Sequence, residues 1–190
     1  MRMIMLLSAF LVVVSIASGC AGRAKGDTPA DKRSAIQKMR RKTLADLYRI
    51  HPPAKQDIQN AYGYAVFSNV GINLLMVSTG QGFGVAHNNQ TGKDIYMRML
   101  SAGVGLGMGI KDFRGVFVFD NRNVFDRFVN HGWQASGQAD AAGKMGDKGA
   151  AIAVAVELEP GLRLYQLTES GLAMQATVQG TKYWKDKELN

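Results

Sequence analysis

Residues 82–100, GFGVAHNNQTGKDIYMRML, decide the fold that we predict for this chain. The segment in the middle, NNQTG at 88–92, has the Asn and Gly residues that are typical of a hairpin turn. The residues on either side, 82–87 and 94–100, have the composition and alternation of β-strands. The stretch therefore predicts two antiparallel strands that are joined by a short loop.

Further strands are predicted on both sides of this hairpin. They lie around Tyr64 and Val66 and at residues 74–79, 102–110, 114–120, 150–158, 162–168 and 172–183. Because most of the connections between them are short, the strands are expected to pair in an antiparallel way. We predict an α+β fold in which a curved or partly closed antiparallel β-sheet carries a few packed helices.

The predicted strand at 102–110, AGVGLGMGI, places glycine at every second position. On a strand, this pattern puts all the side chains on one face and leaves bare backbone on the other. We expect a helix or the opposite side of the sheet to approach that bare face. An acyl chain or another apolar ligand in a pocket is the alternative.

Three helices are predicted. The first covers residues 31–50, with Asp31 as its N-cap, and it ends before Pro52 and Pro53 because proline lacks the backbone donor that a helix needs. A short second helix follows at 54–61. The third is predicted at 124–131, with Asn123 as its cap.

Near the start of the chain, Arg2 precedes an apolar run at 4–16 that is too short to span a bilayer, and small residues then lead to Cys20, the single cysteine of the chain. The first twenty residues therefore resemble the signal and lipobox of bacterial lipoproteins. We predict that residues 1–19 are removed and that Cys20 is acylated, although the lipobox pattern more often has Leu where this chain has Ala17. Cleavage after Gly19 by an ordinary signal peptidase and a free thiol at Cys20 are the alternatives.

The remaining chain is predicted to form a flexible tether at residues 20–30 and one domain at 31–190. Its basic charge is uneven: residues 20–58 contain ten Lys or Arg against four Asp or Glu, whereas residues 59–190 contain twelve against eleven. Cationic side chains near a bilayer attract anionic headgroups. We predict lipid-binding residues in the first helix, with a solvated basic face as the alternative: Lys32, Arg33, Lys38, Arg40, Arg41 and Lys42.

Several separated motifs occur along the chain. They are LYRIHPPA at 47–54, AYGYAVFSNV at 61–70, GQGFGV at 80–85, the glycine pattern at 103–109, and the ending at 171–173 and 179–182. In this order, over residues 44–183, they resemble the SYLF domain family. The resemblance implies binding to membrane lipids, which the family usually places in a basic N-terminal segment. We do not carry the family's actin role over to an exported bacterial protein.

Motifs of enzymes and metal sites do not fit this sequence. His51, His87 and His131 lack a metal-binding spacing, and the glycine pattern is not the dinucleotide motif G-x-G-x-x-G. We therefore predict no catalysis, no cofactor, no metal and no nucleic-acid partner. The predicted function is lipid or envelope-partner binding by a lipid-anchored protein of the cell envelope. Ala21, in place of an aspartate, favours the outer membrane, facing the periplasm. A carrier or enzyme with an apolar pocket under the Gly- and Ala-rich strands is the alternative.

Overall fold

The hairpin at 82–100 lies inside a larger antiparallel sheet. The computed structural model describes residues 24–74, 77–104, 109–135, 155–168, 171–172 and 181–190. In these ranges the helices are α1 (Pro29–Ile50), α2 (Pro53–Asn60) and α3 (Arg122–His131). The strands are β1 (Gly63–Leu74), β2 (Val77–Asn88), β3 (Asp94–Val104), β4 (Gly109–Phe119), β5 (Trp133–Ala135), β6 (Val156–Glu159), β7 (Leu162–Thr168), β8 (Gly171–Leu172) and β9 (Thr181–Lys185).

The sheet has the strand order β5-β9-β3-β2-β1-β4-β7-β6, with β8 paired to β7. Strands β1, β2 and β3 follow one another as hairpins, and β4 returns to lie beside β1, which is a Greek-key arrangement. All the pairs are antiparallel. The predicted α+β class is therefore confirmed.

The sheet is strongly curled. Strands β4 and β9 are separated by three others, so in a flat sheet they would lie about 19 Å apart at the usual spacing of about 4.8 Å. The rings of Phe117 on β4 and Tyr183 on β9 nevertheless have centroids only 5.1 Å apart. The face that carries these two rings must therefore be concave.

The concave face is filled by a cluster of aromatic side chains. Helix α3 lies against this face and contributes Phe125 and Phe128, and Trp133 packs at the edge of the same cluster. The Phe128 ring lies 4.9 Å from that of Phe119 and 5.4 Å from that of Phe117. Aromatic contacts of this kind add stability beyond the area that they bury. The main core thus lies between the curled sheet and α3.

Glycines on β2 make room for this core. Gly84 is buried, and a Cβ atom placed there would overlap the Phe67 side chain and the Val66 carbonyl oxygen. A Cβ atom at Gly82 would lie 2.7 Å from Cγ of Met99. Close approach to glycine backbone therefore occurs on β2, whereas the approach that we predicted for 102–110 stays a prediction. Gly105 and Gly107 lie outside the described residues.

Helices α1 and α2 cover part of the convex face. Leu47 of α1 and Ile58 of α2 share a buried cluster with Val66 and Val116 of the sheet. Nearer the start of α1, Ile36 packs on Val85. The apolar side of α1 is thus a core contact.

The ends of two helices differ from their predictions. Helix α1 starts at Pro29, and its N-cap is Thr28 rather than Asp31: the Thr28 hydroxyl accepts from the Asp31 backbone N–H, and the Asp31 carboxylate accepts from Thr28. Asp31 is therefore the third helical residue of a capping box. The cap of α3 is Asn121 rather than Asn123, because its side-chain oxygen accepts from the Val124 N–H. Helix α2 lies within one residue of its predicted range.

Several predicted strand boundaries are also wrong. Residues 74–79 are not one strand, since Leu74 ends β1 and is paired with Val77 at the start of β2. Residues 102–104 belong to β3 and residues 109–110 to β4, so 102–110 is not one strand either. Residues 171–172 pair with β7, whereas 181–185 lie between β3 and β5. Residues 150–154 lie outside the described residues.

Candidate basic surface of helix α1

The six predicted lipid-binding residues all lie on α1, but the structure does not bring them together as one surface. Arg40 and Arg33 point toward the body of the domain and are partly buried, and Lys32 pairs with a residue near the end of the chain. Lys38, Arg41 and Lys42 are exposed. The sequence therefore indicates where the basic residues lie but does not separate those that hold the helix in place from those that face solvent.

Arg40 belongs to a polar cluster beneath α1 that is centred on Asp94. The Arg40 guanidinium donates to Oδ1 of Asp94 at 2.8 Å, and Gln37 Nε2 donates to Oδ2 at 2.8 Å. The Nδ1 atom of His87 lies 2.6 Å from the same Oδ1 atom. Since all four side chains are less than half exposed, these contacts tie α1 to β2 and β3. Arg40 is a structural residue here, and His87 serves as a partner of Asp94.

The start of α1 is held by the segment 186–190. Lys32 Nζ lies 2.5 Å from a Glu188 carboxylate oxygen, and the Arg33 Nε atom donates to the Leu189 carbonyl at 2.9 Å. Leu189 itself is buried against Ile36 and Val85. Lys32 and Arg33 therefore join two parts of the chain that are 156 residues apart.

The remaining cations of α1 form an outward-facing group. It consists of Lys38, Arg41, Lys42 and Arg49, which we call the basic stripe; the side chains of Lys42 and Arg49 are 72% and 75% exposed. Their spacings of three, four and seven residues put them on one side of the helix. In the described part of the chain, the side chains of Lys38 and Arg41 make no ion pair or hydrogen bond. Their charges are available to an anionic partner.

Asp46 is the acidic residue beside the basic stripe. Its Oδ2 atom accepts from Lys42 at 3.0 Å and from Arg114 on β4 at 2.7 Å. The hydrogen bonds from Lys42 and Arg114 hold the pKa of the Asp46 carboxyl below its ordinary value of 3.8. Asp46 therefore fixes the end of α1 on the sheet and partly neutralises the stripe.

A pH dependence of stability follows from this lowered pKa. The folded state favours ionised Asp46, so the stabilisation is present above the ordinary carboxyl pKa and is lost as the pH falls through the lower folded value, between about pH 5 and pH 2. We expect the Asp46→Asn variant to lose less stability over this range than the parent. Urea denaturation at pH 6 and pH 3 measures the difference. Equal losses in the two proteins would contradict the assignment.

A second polar cluster fixes α2. Asp57 accepts from the Tyr165 hydroxyl at 2.8 Å and from Arg163 at 2.6 Å. Burial, together with the hydrogen bond to Asp57, raises the pKa of the Tyr165 hydroxyl, so this group stays protonated and remains a donor. This cluster sets the position of the α1–α2 corner on the sheet.

The other predicted features are only partly covered by the structure. Cys20 lies outside the described residues. Among the residues that are described, no group of three His, Cys, Asp or Glu side chains is placed to bind a metal. Within the same ranges, none of the helices combines the length and the apolar character needed to cross a membrane.

Comparison with known proteins adds one relative. The chain is similar to Beta cell expansion factor A of Aeromonas veronii. The two sequences are 40% identical over 163 residues, which is 85% of this chain and 60% of the relative. The chain thus spans less than two thirds of the length of that protein. A scan against protein-family models found no match.

An exposed apolar surface on β3 and β9 is not among the features that we predicted from the sequence. Leu100 is 44% exposed on the convex side of the sheet, and its neighbours there include Arg98 and Trp184. The sequence contains a signal for this exposed surface. In DIYMRML at 94–100 the convex-facing positions are Asp94, Tyr96, Arg98 and Leu100, so Leu100 is an apolar residue on the polar side of the strand.

Proposed function

We propose that this chain is a non-catalytic lipid-binding protein that is lipidated at Cys20 and held on the periplasmic side of the outer membrane. The single observation that carries the lipid-binding proposal is the basic stripe of α1. It contains four exposed cations, and Asp46 is the acidic side chain that pairs with two of them. Each such cation near an anionic surface adds roughly 1 kcal/mol to membrane attraction.

The predicted anchor makes this weak attraction effective. A lipid on Cys20 would keep α1 near the headgroups, so the stripe would act at a high local concentration. A lipid anchor and a basic surface together hold a protein on a membrane more firmly than either one alone. The resemblance to SYLF domains agrees with lipid binding by this segment. The name of the relative refers to beta cell expansion and specifies no ligand, so the proposal rests on the surface of this chain.

Vesicle co-sedimentation tests the proposal. A chain of residues 21–190 lacks Cys20 and retains every contact described above, because the described residues begin at Ala24. We expect it to bind vesicles that contain anionic phosphatidylglycerol and to ignore neutral phosphatidylcholine vesicles at low salt. Changing Lys38, Arg41 and Lys42 together to Gln should weaken this binding at least tenfold, since about 1 kcal/mol per cation is removed.

A matched triple variant serves as the control. Lys93 at the β2–β3 turn and Arg122 and Arg127 on α3 are exposed cations outside α1, and changing them to Gln removes the same net charge. This variant should bind nearly as well as the parent. Arg40 is left unchanged in both variants because its contact with Asp94 holds α1 in place. Equal binding by the α1 variant and the parent would leave the stripe as a solvated face.

A further inference from the structure

The structure describes the predicted tether, residues 20–30, from Ala24 onward. Ala24 packs against the buried cluster of Ile36, Val85 and Leu189, so the chain is already attached to the domain at that residue. Four residue steps separate Ala24 from Cys20, and an extended chain covers at most about 14 Å in four steps. A lipid on Cys20 would therefore hold the part of the domain around Ala24 close to the bilayer.

The convex face of β3 and β9 lies beside this attachment point. Two cross-strand pairs on it each combine an apolar residue with a cation: Arg98 with Trp184, and Leu100 with Lys182. We call these four residues the β3–β9 face. Leu100 is 44% exposed and Trp184 is partly exposed. Tryptophan with basic residues is the combination that favours the membrane–water interface.

A cavity connects Ala24 to the β3–β9 face. It has a volume of about 130 Å³ and is lined by Ala24 and Phe83 together with two cations, Lys32 and Arg98, and two carboxylates, Asp186 and Glu188. Arg98 and Asp186 are only loosely paired, at 4.0 Å. Lys32 and Glu188 already pair with each other. The loosely paired charges of Arg98 and Asp186 are therefore the ones that match a headgroup carrying both a phosphate and an ammonium group, such as phosphatidylethanolamine.

We propose that the β3–β9 face is the surface with which the domain contacts the headgroup region of the bilayer that holds its anchor. This inference rests on the proposed function and adds a second contact to the basic stripe. The two contacts differ in physical character. Attraction by the stripe is electrostatic and is screened at 0.5 M salt, whereas burial of Leu100 and Trp184 is not. The face should therefore account for the binding that survives high salt.

Trp184 supplies the readout. We would titrate the chain of residues 21–190 with vesicles of phosphatidylethanolamine and phosphatidylglycerol, at low salt and at 0.5 M salt, and record tryptophan emission and co-sedimentation. The parent should show a blue shift that Trp184→Phe loses, since Trp133 packs in the concave core. Leu100→Gln should lower binding at 0.5 M salt several-fold while leaving the charge unchanged.

The control removes the other exposed large apolar side chain among the described residues, Ile50, which is 37% exposed at the far end of α1. Ile50→Gln should leave binding at 0.5 M salt unchanged.

If Leu100→Gln binds like the parent, or Trp184→Phe keeps the blue shift, the face is not the contact. A change in oligomeric state of Leu100→Gln would likewise overturn the inference and assign the face to a second copy. Low-salt binding that still depends on the basic stripe would then leave the proposed function standing, whereas absence of binding at any salt would overturn both.

Discussion

Gly84→Val is expected to lower the melting temperature by about 6–12 °C. Adding side-chain volume to a filled core costs about 3 kcal/mol at the upper end of the usual range, and each kcal/mol shifts the melting temperature of a domain of this size by about 2–4 °C. The cost of Gly84→Val falls at the upper end of this range because the new Cβ would overlap both the Phe67 ring and the Val66 carbonyl oxygen. Backbone cannot move aside as a flexible side chain can.

Two further variants separate overpacking from strand propensity. Gln81→Val places the same side chain on β2 at an exposed position of the opposite face, and it should leave the melting temperature nearly unchanged. Phe67→Leu in the Gly84→Val background should recover part of the lost stability, because it removes the overlap with the ring but not the overlap with the carbonyl group. Additive effects of the two substitutions would show that Gly84 and Phe67 do not interact.

The elements that the sequence predicted well are those with a local signal. Pro52 and Pro53 end α1 within one residue of the predicted end, and the Asn-rich turn after His87 places the β2–β3 hairpin. The end of β1 has no comparable signal. The residues around it, LLMV at 74–77, contain none of the usual turn formers, so a break between two strands cannot be recognised there.

The sequence does not separate the buried from the exposed cations of α1, because this division depends on partners that are distant in sequence. Arg40 and Arg41 are neighbours in sequence, and no local pattern shows that Arg40 faces Asp94, 54 residues away, while Arg41 faces solvent. Lys32 likewise finds its partner at Glu188. The sequence indicates where positive charge accumulates, whereas the packing of α1 on the sheet decides which charges stay available.

The exposed cations and the predicted anchor depend on each other. Without a lipid on Cys20, the four charges of the basic stripe give only weak, salt-sensitive attraction to a membrane. With it, the short connection to Ala24 limits how far the domain can move from the bilayer. The proposed lipidation of Cys20 is therefore the step on which lasting attachment to the membrane depends, whereas binding by the basic stripe is tested without it.

Cys20→Ser is expected to abolish lipidation completely, because the acyl chain is attached through the thiol and a hydroxyl does not replace it in the lipobox. In cells that are fed labelled palmitate, the parent should carry the label and fractionate with the outer membrane. The variant should remain an unlabelled precursor. Ala17→Leu, which restores the residue most common in the lipobox, should be processed like the parent.

The same experiment tests the two alternatives for the N-terminus. If an ordinary signal peptidase cuts after Gly19, the parent will be mature and unlabelled, and Cys20→Ser will be processed equally well. If Cys20 is a free thiol, the denatured parent will react with iodoacetamide, since this is the single cysteine of the chain. A mature, palmitate-labelled Cys20→Ser protein would show that the lipid is attached elsewhere. Density-gradient fractionation of the parent then tests the membrane address, because Ala21 in place of an aspartate predicts the outer rather than the inner membrane.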